Sequence, residues 1–211
     1  MIAPMVAERN PDVAFIIMMA GPGIPGVEQI TLQNYLIGKA DGIPEDELTK
    51  LSAINKQVYN VLTTETDTKV MKKGVAEVLN RELRPFYISK GISDSEVTQY
   101  IDSQVTILCS AWYVYFLKYN PGPALEKLKC PVLALNGEKD LQVSPNANLD
   151  GIKRAAEKSG NKKVTTKKLP KLNHLFQECT TGSVMEYETI EQTISPVALT
   201  EISTWLNKEI K

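Results

Sequence analysis

The sequence predicts an α/β fold, with about three parallel strands, flanking helices and a long helical insertion between two of the strands. Three observations predict it. Two short runs, residues 13–20 and 131–137, are apolar without alternation, as strands are when both of their faces are covered. Helical patterns, not hairpin turns, connect the strand patterns, which is the signature of parallel pairing. Residues 27–128 repeat their apolar positions every three and four residues and contain no strand pattern.

The elements follow in order. Residues 1–10 read as a helix with Ile2, Met5 and Val6 in an apolar stripe, stopped at Asn10-Pro11. It has no N-cap and almost no first turn, so it reads as a frayed helix or as an element cut in its middle. Residues 13–20 form the first strand, which opens on Val13, closes on Ala20 and runs into Gly21-Pro22-Gly23.

Pro44 followed by Glu45, Asp46 and Glu47 starts a helix carrying Leu48, Leu51, Ile54, Val58 and Leu62. Asp67 begins another, with Val70, Met71, Val75, Val78 and Leu79, closed at Arg84-Pro85. Ser93-Asp94-Ser95-Glu96 opens a third that is expected to run unbroken to Tyr119. Its second half, 109–117, is apolar on nearly all sides and is expected to be deeply buried.

Residues 131–137 are the second strand, 145–158 a helix, and 163–169 a third strand whose alternation suits an outer position. A final helix from Ser195 or Pro196 to about residue 208 places Val197, Leu199, Ile202, Trp205 and Leu206 on one side. This organisation gives a sheet domain over 1–26 and 129–211, and a helical subdomain over 27–128.

Composition bounds the function. The chain has 211 residues, 43% hydrophobic and 23% charged, with a net charge of −1. That is ordinary for a globular protein, and no basic patch suggests nucleic acid. The apolar run 13–20 is too short to span a membrane, and no signal peptide opens these residues. The sequence names no compartment. Cys109, Cys130 and Cys179 are too widely spaced for a metal pattern and imply no disulfide framework.

The residues that carry chemistry are few. His174 is the one histidine, set in Leu172-Asn173-His174-Leu175-Phe176. Asp140 ends Asn136-Gly137-Glu138-Lys139-Asp140, directly after the second strand. A buried carboxylate at the C-terminal end of a parallel strand can accept from one imidazole nitrogen and leave the other as a base. His174 follows the third strand, on a loop from which a mobile base could reach across the strand ends. The plainer readings are a turn or capping role for Asp140 and a structural role for His174.

Other candidates are weaker. Cys179 lacks the elbow or helix N-terminus that would activate it as a partner of His174. Gly21-Pro22-Gly23 shapes an acyl pocket or is simply a turn. Trp112, Tyr113, Tyr115 and Phe116 line a pocket or pack as core. Ser144 suits an N-cap better than a nucleophile. Lys162, Lys163, Lys167 and Lys168 read as a solvated strand end. No metal-ligand or phosphate-binding pattern is present, so no cofactor is expected.

The apolar run with its Gly-Pro-Gly, the helical insertion, the stretch from Cys130 through Asn-Gly-Glu-Lys-Asp140 to Pro145, and Asn173-His174-Leu-Phe-Gln177 together resemble the bacterial serine carboxylesterase branch of the α/β-hydrolases. The resemblance spans the whole chain but only the C-terminal half of that family's domain. It implies a helical cap and an acyl-serine mechanism on small-molecule esters, with His174 as general base then acid and Asp140 orienting it. In that family, Ile2-Ala3-Pro4 would follow directly on a Gly-His-Ser-x-Gly-Gly elbow. The nucleophile and both oxyanion amides are then expected outside these residues, and no turnover by this chain alone. An amide- or peptide-cleaving hydrolase is the alternative on the same fold. A non-catalytic binding or assembly module is the alternative of another class. Strand order in the family also implies that the 13–20 strand is an exposed edge, through which the chain is expected to self-associate.

Overall fold

The computed structural model describes residues 1–209. It is an α/β structure with a three-stranded, all-parallel sheet in the order β1-β2-β3 and helices on both faces. The strands are β1 (Ile16–Met19), β2 (Val132–Gly137) and β3 (Val164–Leu169). The helices are α1 (Ile2–Arg9), α2 (Gly26–Ala40), α3 (Glu45–Thr64), α4 (Thr68–Glu82), α5 (Arg84–Ser89), α6 (Asp94–Leu108), α7 (Ala111–Lys118), α8 (Gly122–Leu125), α9 (Pro145–Ser159) and α10 (Pro196–Glu209).

Alternate residues of β2 enter opposite cores, which is why its sequence does not alternate in polarity, whereas β3 at the edge is only partly buried. Ile16 and Met18 of β1 and Val132 and Ala134 of β2 pack with Leu149, Ile152 and Ala155 of α9 and with Leu125 and Leu128. Leu133 and Leu135 of β2 join Ala20, Leu169, Leu172, Phe176, Ala198 and Trp205 on the other face. Phe15 meets Trp205 edge-on there, with ring centroids 5.8 Å apart.

The chain divides into two compact units, residues 1–42 with 120–211, and residues 43–119. The first holds the sheet together with α1, α2, α8, α9 and α10. Thus α2 and α8, expected in the helical subdomain, belong with the sheet instead. The reason for α2 is a set of buried amides: Asn148 Nδ2 donates to Gln29 Oε1 at 2.8 Å, and Gln29 Nε2 donates to the Gln142 carbonyl.

The second unit is built from α3 to α7. Asp67 caps α4 by accepting from the Lys69 and Val70 amides. Ser93 and Glu96 form a reciprocal capping box at the start of α6. Arg84-Pro85 opens the short α5 and does not merely close α4.

The helix expected to continue from Ser93 to Tyr119 is broken. It ends at Cys109, and Ser110 restarts it as the cap of α7, accepting from the Tyr113 amide. Cys109 and Leu117 are buried, but Trp112 and Tyr115 are 64% and 48% exposed, so 109–117 is not deeply buried throughout. Breaking the helix re-aims its second half, and Trp112 instead stacks on Phe116. In α10 the buried residues are Ala198 and Trp205, with Ile202 and Leu206 against the same core; Val197 and Leu199 face outward.

Candidate active site

All three strands point their C-terminal ends the same way, so the loops that follow them gather at one end of the sheet. Two of these loops carry Asp140 and His174. The structure brings the pair together: His174 Nδ1 lies 2.9 Å from Asp140 Oδ2. The Asp140 side chain is fully buried, whereas that of His174 is 27% exposed. Nε2 of His174 has no hydrogen-bond partner among the described residues.

Asp140 is gripped from three sides. Its Oδ1 accepts from the amides of Gln142 at 2.9 Å and Val143 at 2.7 Å, the pattern of an aspartate closing its own turn. Its Oδ2 takes the imidazole and, at 3.4 Å, Nδ2 of Asn136. Asn136 also donates to the Val143 carbonyl at 2.9 Å. The turn role and the histidine-pairing role therefore coexist in one side chain.

His174 rides on a hydrogen-bonded turn and not on the free loop expected of a mobile base. The Asn173 amide donates to the Gln177 carbonyl at 3.0 Å, and the Phe176 amide to the Asn173 carbonyl at 3.1 Å. Inside the turn, buried Asn173 accepts from the Leu175 and Gln177 amides and donates to Gln177 Oε1. Lys171 and Phe176 bracket the histidine at φ of 63° and 60°, a left-handed backbone that non-glycine residues rarely adopt.

Gly137 lets the two loops meet. A Cβ there would stand 2.3 Å from the Leu172 carbonyl oxygen and 2.4 Å from that of Asn173. On the neighbouring loop, Gly23 donates its amide to Asn148 Oδ1 at 2.8 Å, and a Cβ on it would lie 2.1 Å from the Asn148 carbonyl. Gly21-Pro22-Gly23 thus seats β1 against α9.

The other candidates sit apart from the pair. Cys179 donates to the Lys171 carbonyl, not to His174, and burial pushes its thiol up. Burial does the same for Cys109 and Cys130, which disfavours the thiolate form in all three. Ser144 occupies the N-cap position of α9 without a side-chain cap bond. Lys167 pairs with Glu201 and Lys168 donates to Asn146, so half of the lysine cluster is engaged rather than simply solvated.

Several residues around the pair have roles that the sequence motifs do not assign. Tyr187 accepts from Gln142 Nε2 at 2.8 Å; burial, foremost, and the nearby Asp140 charge push its phenol up, and the Gln142 bond only partly offsets this. Asn136 was detectable as an amide inside an otherwise apolar strand, a residue type that is seldom fully buried. Its Oδ1 is buried with no partner among the described residues, an arrangement that costs about 1–3 kcal/mol.

No family model, curated protein or solved structure matches this chain. The geometry is therefore what bears on function. Among the described residues there is no cluster of three or more His, Cys, Asp and Glu side chains that could hold a metal ion, and no helix long and apolar enough to cross a membrane.

Proposed function

We propose that this chain carries the acid–base half of a serine carboxylic-ester hydrolase of the α/β-hydrolase type, with the helical unit as its cap subdomain. The observation that carries the reading is the 2.9 Å contact between His174 Nδ1 and Asp140 Oδ2, with Nε2 left unpaired. Further support comes from the position of both residues after parallel strands, at the C-terminal end of the sheet.

In this reading Asp140 accepts the Nδ1 proton, so the Nε2 lone pair serves as the base. Nε2 takes the proton of a serine hydroxyl as its oxygen attacks the ester carbonyl carbon. The same proton then passes to the departing alkoxide, leaving an acyl-serine. Water repeats the sequence and frees the acid. The reaction needs no metal or organic cofactor. These 211 residues contain no Gly-x-Ser-x-Gly, so the reading requires a serine from outside them. That same absence favours the second reading, a binding or assembly module on a hydrolase-like sheet.

The test begins with the gene. The reading frame upstream of the Met1 codon is sequenced, and both the 211-residue chain and any longer product are assayed with an activated ester. The short chain is expected to show no turnover. A longer product bearing the elbow is expected to turn over, and to lose about 10⁴-fold in kcat with Asp140→Asn. A stop codon directly upstream would leave the binding module. A stoichiometric burst from the short chain, abolished by His174→Ala, would overturn the reading that its nucleophile lies elsewhere.

A further inference from the structure

We propose that Asn136 is a positioning residue for the Asp140–His174 pair, holding the carboxylate so that the neutral imidazole keeps its proton on Nδ1. The inference rests on the reading of that pair as an acid–base unit.

Asn136 is the fifth residue of β2, a strand whose six residues are all buried. Val132, Leu133, Ala134 and Leu135 before it fill the two cores, and Asn136 itself has no exposed surface. Its Nδ2 reaches two acceptors that bound the same turn, the Asp140 carboxylate and the Val143 carbonyl. Turning the amide over would set Oδ1 against both of those oxygens, so its orientation is fixed.

The other end of the amide is unsatisfied. Oδ1 lies buried without a partner among the described residues. A side chain placed here for packing alone would be a leucine, which orphans nothing in the core. What the amide supplies instead is a donor under the aspartate turn.

That donor completes the set around the carboxylate. Two backbone amides hold Oδ1, and Asn136 and His174 share Oδ2. Rotating the carboxylate would break bonds on both oxygens at once. Pinning the Val143 carbonyl also fixes the strand-to-helix turn from which the two backbone donors project. With the carboxylate so held, a proton on Nδ1 is retained and Nε2 keeps its lone pair. An unpinned carboxylate would let the ring take the opposite tautomer.

One histidine in the chain makes the test direct, because every ring signal belongs to His174. The ring nitrogen chemical shifts of the 211-residue chain are measured at a pH where the imidazole is neutral, for the native protein, Asp140→Asn and Asn136→Leu. The native ring is expected to hold its proton mainly on Nδ1. Both variants are expected to reduce that form to a minority, with Asn136→Leu melting within a few degrees of the native chain.

If Asp140→Asn changes the tautomer and folded Asn136→Leu does not, the inference fails and the proposed function stands. If neither changes it, both fail. Should Asn136→Leu not fold, the native protein decides. The Asn136 side-chain NH2 protons are expected to shift in step with the titration of the His174 ring. If those protons stay unmoved while the ring titrates, Asn136 is a structural residue only.

Discussion

Gly137 shows how much of the site depends on a missing side chain. The carbonyl oxygens that a Cβ would strike belong to Leu172 and Asn173, backbone atoms of the histidine turn that cannot swing aside. Gly137→Ala is expected to cost about 1–3 kcal/mol in urea denaturation and to shift the His174 ring signals. Gly160→Ala makes a useful contrast. Gly160 ends α9 at φ 68° with nothing within 4 Å, so alanine there meets only a left-handed backbone penalty of about 1–2 kcal/mol. Stability should fall in both variants, and only the first should disturb the histidine. At this scale the sequence pointed to Asp140 and His174, whose side chains meet, since a lone histidine and an aspartate just past a strand stand out. It held Asn173 and Gln177 in the histidine motif but not their role, because the worth of a buried amide depends on partners that folding brings to it. The same holds for Gln29 and Asn148, whose bonded side chains come from distant stretches of chain.

Among the elements, β1 and β2 were legible because a sheet covered on both faces leaves an unbroken apolar run, and β3 because its sequence alternates. The observed β2 and β3 fall within a residue of the expected runs, and β1 starts three residues later and ends one residue earlier than its own. The break at Ser110 was not legible, since the apolar pattern continues across it and a serine is tolerated inside a helix. The start of α6 was announced by Ser93-Asp94-Ser95-Glu96, and its capping box has a consequence in acid. The Ser93 hydroxyl, foremost, and then the Ser93 amide hold the Glu96 carboxyl below the usual range. Its folded value is depressed relative to the unfolded chain, so its contribution is complete above the unfolded value of about 4.3 and is lost as pH falls through the folded one. Amide exchange in the first turn of α6 is expected to lose protection over that window. Ser93→Ala is expected to flatten the pH dependence, and an unchanged profile in that variant would remove Glu96 as its source.

For the molecule as a whole, the two edges of the sheet differ in chemistry. The β3 edge carries Lys162, Lys163, Lys167 and Lys168, the kind of charge that discourages strand addition. Residues 13–20 carry no charge at all. The Ile16 and Ala20 amides donate toward β2, so by the alternation of a parallel ladder Ile17 and Met19 turn their backbone groups outward. Ile2 and Val6 of α1 and Met19 of β1 are exposed apolar side chains of the same unit. The 211-residue chain is expected to self-associate through β1 as a twofold dimer, and Met19→Lys to return it to monomer without changing its circular dichroism. Sedimentation that finds only monomer in the native chain at high concentration would exclude this. The division into units was only partly legible, because α2 has the periodicity of the helices that follow it, and its membership is decided by Gln29. The placement of the helical unit also bears on tolerance to change. Residues 43–119 are a single excursion of the chain from the sheet unit and back. The entropy of closing such an excursion grows with the logarithm of its length, about 0.6 kcal/mol per doubling. Helices could therefore be added to or removed from that excursion at little thermodynamic cost to the β1–β2 pairing. The 43–119 excursion is expected to tolerate large changes in sequence length while the ladder beside it stays in register.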